Sequence, residues 1–178
     1  MHKDMKYVLM TKEEIEATVS RLAEKINNDY NGEPVLALII LKGSMFFAAD
    51  LLRELTMPLT IDFMKVSSYG TDSKSCGNIN ILLDTGLDLA GLNVLIIEDI
   101  IDSGNTLSKL KALLAERKPK SLKICTLLDK PERRESVIDP DYTGKLIPNE
   151  FVVGYGLDFA ERYRNLPYIG VLDEKVYS

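Results

Sequence analysis

The run Val94-Leu95-Ile96-Ile97-Glu98-Asp99-Ile100-Ile101-Asp102-Ser103-Gly104-Asn105-Thr106 constrains this chain more than any other stretch. An apolar run of strand length ends in two adjacent carboxylates. A third carboxylate opens a loop of hydroxyls and glycine, and Leu107, Leu110, Leu113 and Leu114 then recur at helical spacing until Pro119. That order of parts suits a sugar phosphate. Carboxylates hold ribose hydroxyls or a divalent cation, while loop and helix amides receive a phosphate at the positive end of the helix.

The rest of the chain repeats the alternation of strand and helix. Thr11-Lys12-Glu13-Glu14 has the form of a capping box, and Ile15, Val19, Leu22 and Ile26 follow on one helical face until Asn31-Gly32 and Pro34. Val35 to Leu41 reads as a buried strand. Lys42-Gly43-Ser44 is a tight loop into a second helix carrying Phe46, Phe47, Leu51, Leu52 and Leu55. Leu59, Ile61 and Phe63 alternate with Thr60, Asp62 and Met64 as in a strand.

Short strands are also expected at Ile79–Leu83, Val94–Ile97, Leu122–Leu128 and Phe151–Val153. The stretch holding Pro131, Pro140, Gly144 and Pro148 reads as mostly loop. Ser67 to Asn80 is polar and without apolar period, which fits either a hairpin connection or a mobile lid. The pattern predicts an α/β fold with a central, mostly parallel sheet flanked by helices. One domain is expected over residues 1–178, with a small hood lobe from roughly 148–178 plus N-terminal residues and a lid loop over about 67–80.

Charge and composition narrow the functional classes. With 22 Lys and Arg against 27 Asp and Glu, the net charge of -5 disfavours nucleic-acid binding. The basic stretches Lys118–Lys123 and Lys130–Arg134 are short. His2 is the only histidine, and Cys76 and Cys125 follow no metal spacing, so Ser-His-Asp catalysis and His-ligated zinc have no basis. Cys125 reads as a small buried hydrophobe. The N-terminus mixes Lys3, Asp4 and Lys6, and the longest apolar stretch is far too short for a bilayer, so no membrane role and a cytoplasmic location are expected.

Ligands of open α/β sheets gather beyond the carboxyl ends of the strands. Lys42-Gly43-Ser44, Glu98 to Thr106 and Asp129-Lys130-Pro131 all follow strands, and sheet topology would set them along one edge. Helix capping by Asp102, Ser103 or Asn105 explains one such residue. It does not explain Glu98 and Asp99, two like charges that repel unless a cation or hydroxyl donors join them. Successive strand residues point to opposite faces, so both meet one ligand only if the backbone turns there. No Walker element is present, and Phe159 stands where a dinucleotide fingerprint beginning at Gly154 would need its third glycine.

The run Val94–Thr106 resembles the phosphoribosyl-pyrophosphate motif of type I phosphoribosyltransferases. Leu41-Lys42-Gly43, Ser68-Tyr69-Gly70, Leu127-Leu128-Asp129-Lys130, and Phe151 to Asp158 with Arg164 are similar, in order, to the hypoxanthine-guanine branch. The resemblance implies transfer of 5-phosphoribosyl from phosphoribosyl pyrophosphate to a 6-oxopurine, with Mg2+ required. It implies ribose contacts from Glu98 and Asp99, a general base at purine N7 in Asp102, and a 5'-phosphate cradle of Ser103, Gly104, Asn105 and Thr106.

It further implies pyrophosphate contacts from Lys42, Gly43 and Arg164, with a cis Leu41-Lys42 peptide. Purine contacts would come from Lys130, Phe151 and Val152, metal ligands from Glu98, Asp99 and Asp158, and a closing segment from Ser68 and Tyr69. A homodimer or homotetramer is implied as well. Asn105 departs from the Lys or Leu often found at that position, Ser44 from a common Gly or Ala, and Cys76 from a small polar residue. A nucleotide-sensing regulator would need a basic face, and a phosphoacceptor receiver domain would have no use for the Ser103–Thr106 loop.

Overall fold

The computed structural model describes residues 1–68 and 79–177. In chain order these form β1 (Met5–Met10), α1 (Lys12–Tyr30), β2 (Val35–Ile40), α2 (Met45–Glu54), β3 (Leu59–Ser68), β4 (Ile79–Leu83) and β5 (Asn93–Ile101). There follow α3 (Asn105–Ala115), β6 (Ser121–Asp129), β7 (Tyr142–Leu146), β8 (Val152–Val153) and β9 (Ile169–Leu172). Single 3-10 turns occupy Pro131–Arg133 and Glu174–Val176.

A six-stranded sheet runs in the order β4-β3-β2-β5-β6-β7. Its strands are parallel except β4, which pairs antiparallel with β3 at the edge. The unbroken apolar run of β2 is explained by cover on both faces. Val35, Ala37 and Ile39 pack with residues of α1 and α2, whereas Leu36, Leu38 and Ile40 pack with Leu107, Leu110 and Leu114 of α3.

Helix α1 begins with the expected capping box: Thr11 Oγ1 accepts from the Glu14 amide and Glu14 Oε2 from the Thr11 amide. It ends at Asn31 in the left-handed region. Cys125 is fully buried, and burial pushes its thiol up. No helix among the described residues is long and apolar enough to cross a membrane.

Three local expectations need correction. First, β5 does not end at Ile97 but continues through Glu98 and Asp99 to Ile101, because Glu98, Ile100 and Ile101 stay in register with Thr126, Leu128 and Asp129. Second, the stretch around Gly144 is a strand, β7, hydrogen-bonded to β6. As an edge strand it needs little apolar alternation, and Gly144 fits because a Cβ there would lie 2.3 Å from the Leu127 carbonyl oxygen. Third, Ser67, Ser68, Ile79 and Asn80 are strand residues, so the expected lid loop of 67–80 is shorter, and its residues 69–78, with Tyr69 and Cys76, lie outside the described residues. Strands β1 and β9 have no counterpart among the strands expected from the sequence. They pair antiparallel, and β9 also pairs with β8, in a second, three-stranded sheet.

The apolar phase of β3 is informative. Met64 is fully buried, but Ile61 and Phe63 are 49% and 41% exposed. Helix α2 packs mainly over β2 and β5, leaving this face of β3 open.

Candidate active site

Three strand ends converge as the parallel topology requires. The Lys130 amide donates to the Ile101 carbonyl at 2.9 Å, which ties the end of β6 to the end of β5. Two adjoining cavities open there, both bordered by Ile100 and Asp102. The larger, about 490 Å³, is lined by Asp99, Asp102, Lys130, Arg133, Phe151, Val152, Leu157, Asp158 and Tyr177 among others. The smaller, about 150 Å³, is lined by Glu98, Ser103, Gly104 and Thr106. Because β5 stays extended through Ile101, strand alternation divides the acidic pair, with Glu98 in the small cavity and Asp99 in the large one.

The acidic pair is only partly compensated, with Arg164 the one cation among the described residues that acts on Asp99. Loss of water, and then the neighbouring Asp99 charge, raises Glu98 well above the usual carboxylate range. Loss of water also raises Asp99, opposed by a hydrogen bond from the Ile100 amide to Oδ1 at 2.7 Å. Two like charges in this setting call for a cation or a hydroxylated ligand.

The Gly43 loop is wedged between Asp99 and Gly156. A Cβ on Gly43 would fall 1.6 Å from Asp99 Oδ2, and one on Gly156 would fall 1.9 Å from the Gly43 carbonyl oxygen. The Leu41-Lys42 peptide is cis, as the resemblance implies. Lys42 Nζ lies 3.1 Å from both carboxylate oxygens of Glu161, holding that carboxyl below its ordinary range. Arg164 reaches Asp158 Oδ1 at 2.8 Å, Glu161 Oε2 at 3.3 Å and the Gly156 carbonyl at 2.7 Å. Lys42 and Arg164 do not line the large cavity; Arg164 meets it through its ion pair with Asp158.

Asp102 lies between two cations. Its Oδ2 is 3.7 Å from Lys130 Nζ and its Oδ1 is 3.1 Å from Arg133 Nε, although Oδ1 has no aligned hydrogen-bond donor. Lys130 is buried, and loss of water pushes its amine down while Asp102 pulls the other way. Arg134 fixes the loop by donating to the Asp102 carbonyl and pairing with Asp129.

Capping does not account for the acidic loop. No side chain caps α3, whose N-cap is Gly104 at φ 77°. A Cβ there would stand 2.7 Å from Ile138 Cγ2, so both conformation and space demand glycine. The Asn105 amide donates to Ser103 Oγ at 3.4 Å, and this positive helix end is open to an anion. Asn105 differs from its neighbours: its side chain turns to Glu135 Oε2 at 2.6 Å and accepts from Ser136.

Phe151 is half-exposed and stacks on Tyr177, while Val152 is buried in β8. Ser68 closes β3. Among the described residues no preassembled cluster of three or more His, Cys, Asp or Glu forms a metal cage. Arg133, Glu161 and Tyr177 join the site without having been expected. Arg133 and Glu161 had only their place in charged, loop-like stretches to mark them, and Tyr177 had no signal at all.

The family described as phosphoribosyl transferase domain matches residues 9–160. A Staphylococcus aureus hypoxanthine-guanine phosphoribosyltransferase is 50% identical over 100% of this chain and 99% of its own length. One from Staphylococcus epidermidis is 51% identical with the same coverage. A crystal structure of a Staphylococcus aureus hypoxanthine phosphoribosyltransferase superimposes with TM-score 0.96 at 50% identity, covering 100% of this chain and 97% of that one. A variant of the Trypanosoma cruzi hypoxanthine phosphoribosyltransferase, in a ternary complex with substrates, superimposes with TM-score 0.95 at 40% identity, covering 99% and 100%.

Proposed function

This chain belongs to the phosphoribosyl transferase family, and on that premise we propose that it is a purine-salvage enzyme acting on hypoxanthine and guanine. It transfers 5-phosphoribosyl from phosphoribosyl pyrophosphate to the base, giving IMP or GMP and pyrophosphate. One observation carries the site reading: a single cavity holds Asp102, its neighbour Lys130 and the Phe151 ring, and adjoins a second cavity at the uncapped start of α3.

The roles follow from chemistry. Displacement at an anomeric carbon builds positive charge on the ribose, so the site must hold the leaving group, accept a purine proton and exclude water. Asp102 Oδ1, buried without an aligned donor, is the acceptor for the N7 proton. Lys130 donates to purine O6, Phe151 stacks on the ring, and Val152 reads its edge through the backbone. Ser103, Gly104 and Thr106 cradle the 5'-phosphate, to which Asn105 offers its amide. Glu98 and Asp99 bracket the ribose hydroxyls from the two cavities. Glu161 already holds Lys42 and Arg164 side by side, so pyrophosphate finds two cations together next to Gly43. The sequence match alone supports a closing role for Ser68 and Tyr69.

Magnesium fits these residues. The donors are carboxylate oxygens, Asp99 and Asp158 enter one cavity, and burial together with the neighbouring carboxylate raises Glu98, the setting a cation would relieve. Magnesium keeps waters and substrate oxygens rather than demanding a full protein cage. Asp99 and Asp158 would hold an ion on the large-cavity side and Glu98 one on the small-cavity side, and when bound magnesium would neutralise the diphosphate leaving group.

The exposed Ile61 and Phe63, with Leu82 at 55% exposure on the adjoining strand, favour a homodimer or homotetramer. A cytoplasmic location belongs to the same reading. A spectrophotometric assay of hypoxanthine, guanine, xanthine and adenine with the sugar donor and magnesium tests it. Turnover of hypoxanthine and guanine but not adenine is expected, and no turnover of either oxopurine overturns it.

A further inference from the structure

We propose that Tyr177 is a positioning residue of the purine pocket, holding the Phe151 ring at the angle from which it stacks on the base. The inference deepens the reading above and rests on it. Tyr177 lines the same cavity as Asp102, Lys130 and Phe151. Its ring stacks on Phe151 with centroids 5.2 Å apart and planes at 29°. Phe159 closes the group edge-on, 5.7 Å from Phe151 and 6.3 Å from Tyr177.

The backbone that presents Tyr177 is anchored. The Asp173 amide donates to the Asp4 carbonyl at 2.9 Å, and the Asp173 side chain accepts from the Lys175 amide at 3.0 Å. Val176 packs against the core of Met5, Val153 and Leu172, which belongs to the three-stranded sheet carrying Val152. Phe151 precedes β8 and is 39% exposed, so its own packing leaves the ring free to turn. Offset stacking from Tyr177 and the Phe159 edge remove that freedom before the base arrives. Each contact named is made by the tyrosine ring, none by its hydroxyl.

Steady-state kinetics separates this role from general support of the fold. Tyr177→Ala is expected to raise KM for hypoxanthine and guanine about two- to tenfold, the range of one aromatic pair. KM for phosphoribosyl pyrophosphate stays at the wild-type value, and Tyr177→Phe restores the purine KM. The chain contains no tryptophan, so Tyr177→Trp supplies a single indole at the stack, whose emission is expected to change on titration with IMP. An unaltered purine KM in Tyr177→Ala, a parallel rise in both KM values, or an indole blind to saturating IMP overturns the proposal. Wild-type protein that turns over neither oxopurine overturns the parent reading instead.

Discussion

The carboxylate of Asp99 fills the space that a side chain on Gly43 would need, with Oδ2 1.6 Å from the ideal Cβ position. The loop after β2 and the acidic end of β5 therefore interlock, and the Gly156 backbone closes the loop from the other side. Gly43→Ala must displace either the carboxylate or the loop. A shift of about 1 Å costs on the order of 10²-fold in rate where groups are positioned for reaction. Initial-rate kinetics against phosphoribosyl pyrophosphate is expected to show that loss, with circular dichroism unchanged.

Asp102→Asn keeps the shape of the side chain but removes its capacity to take a proton. kcat is expected to fall about 10²- to 10⁴-fold, the usual contribution of a general base. Calorimetric titration with phosphoribosyl pyrophosphate should give near wild-type affinity. Turnover equal to wild type would remove Asp102 from the role.

Glu98 titrates above its ordinary value of 4.5 in the folded chain. Below that value both folded and unfolded states hold the proton, and the group is neutral to stability. As pH climbs, the unfolded chain ionises first, so wild-type stability drops until the folded carboxyl ionises too. Glu98→Gln is expected to raise the melting temperature at neutral pH, with the gain vanishing near pH 4.5 and below. Thermal melts of both proteins across pH check the sign, and a gain independent of pH contradicts it.

The Asn105 side chain links the loop before α3 to Glu135, while the Glu135 and Ser136 amides both donate to the Ser103 carbonyl. Asn105→Asp sets two carboxylates against each other and is expected to raise KM for phosphoribosyl pyrophosphate several-fold. Glu135→Gln in the same chain reverses donor and acceptor at unchanged net charge and should bring KM back. Failure of the double variant to recover means that the added charge itself, not the broken link, weakens phosphate binding.

Phe63 is 41% exposed on the uncovered face of β3. If that face joins two copies, Phe63→Glu buries a charge in the contact and is expected to yield monomer by light scattering after size exclusion. A wild-type protein that is already monomeric would remove the interface.

Much of this molecule is set by short-range pattern. The capping box at Thr11, the both-sided apolar run of β2, and the carboxylate–hydroxyl–glycine order from Glu98 to Thr106 each act over about ten residues or fewer. Their physical cause, whether periodicity, capping or turn geometry, is therefore written in consecutive positions. Parallel pairing of β2, β5 and β6 then carries the Gly43 loop, Asp102 and Lys130 to one edge of the sheet. Other features depend on partners more than a hundred residues away. Lys42 meets Glu161 across 119 positions, and β1 is a strand because β9 pairs with it.

Likewise, Glu98 and Asp99 fall into separate cavities because pairing with β6 holds β5 extended, and Phe63 stays exposed because α2 crosses elsewhere. Tyr177 enters the large cavity only because the three-stranded sheet folds its segment back onto Phe151. Nothing in the residues beside these positions encodes those outcomes. They are decided by which surfaces the assembled sheet covers and which it leaves open.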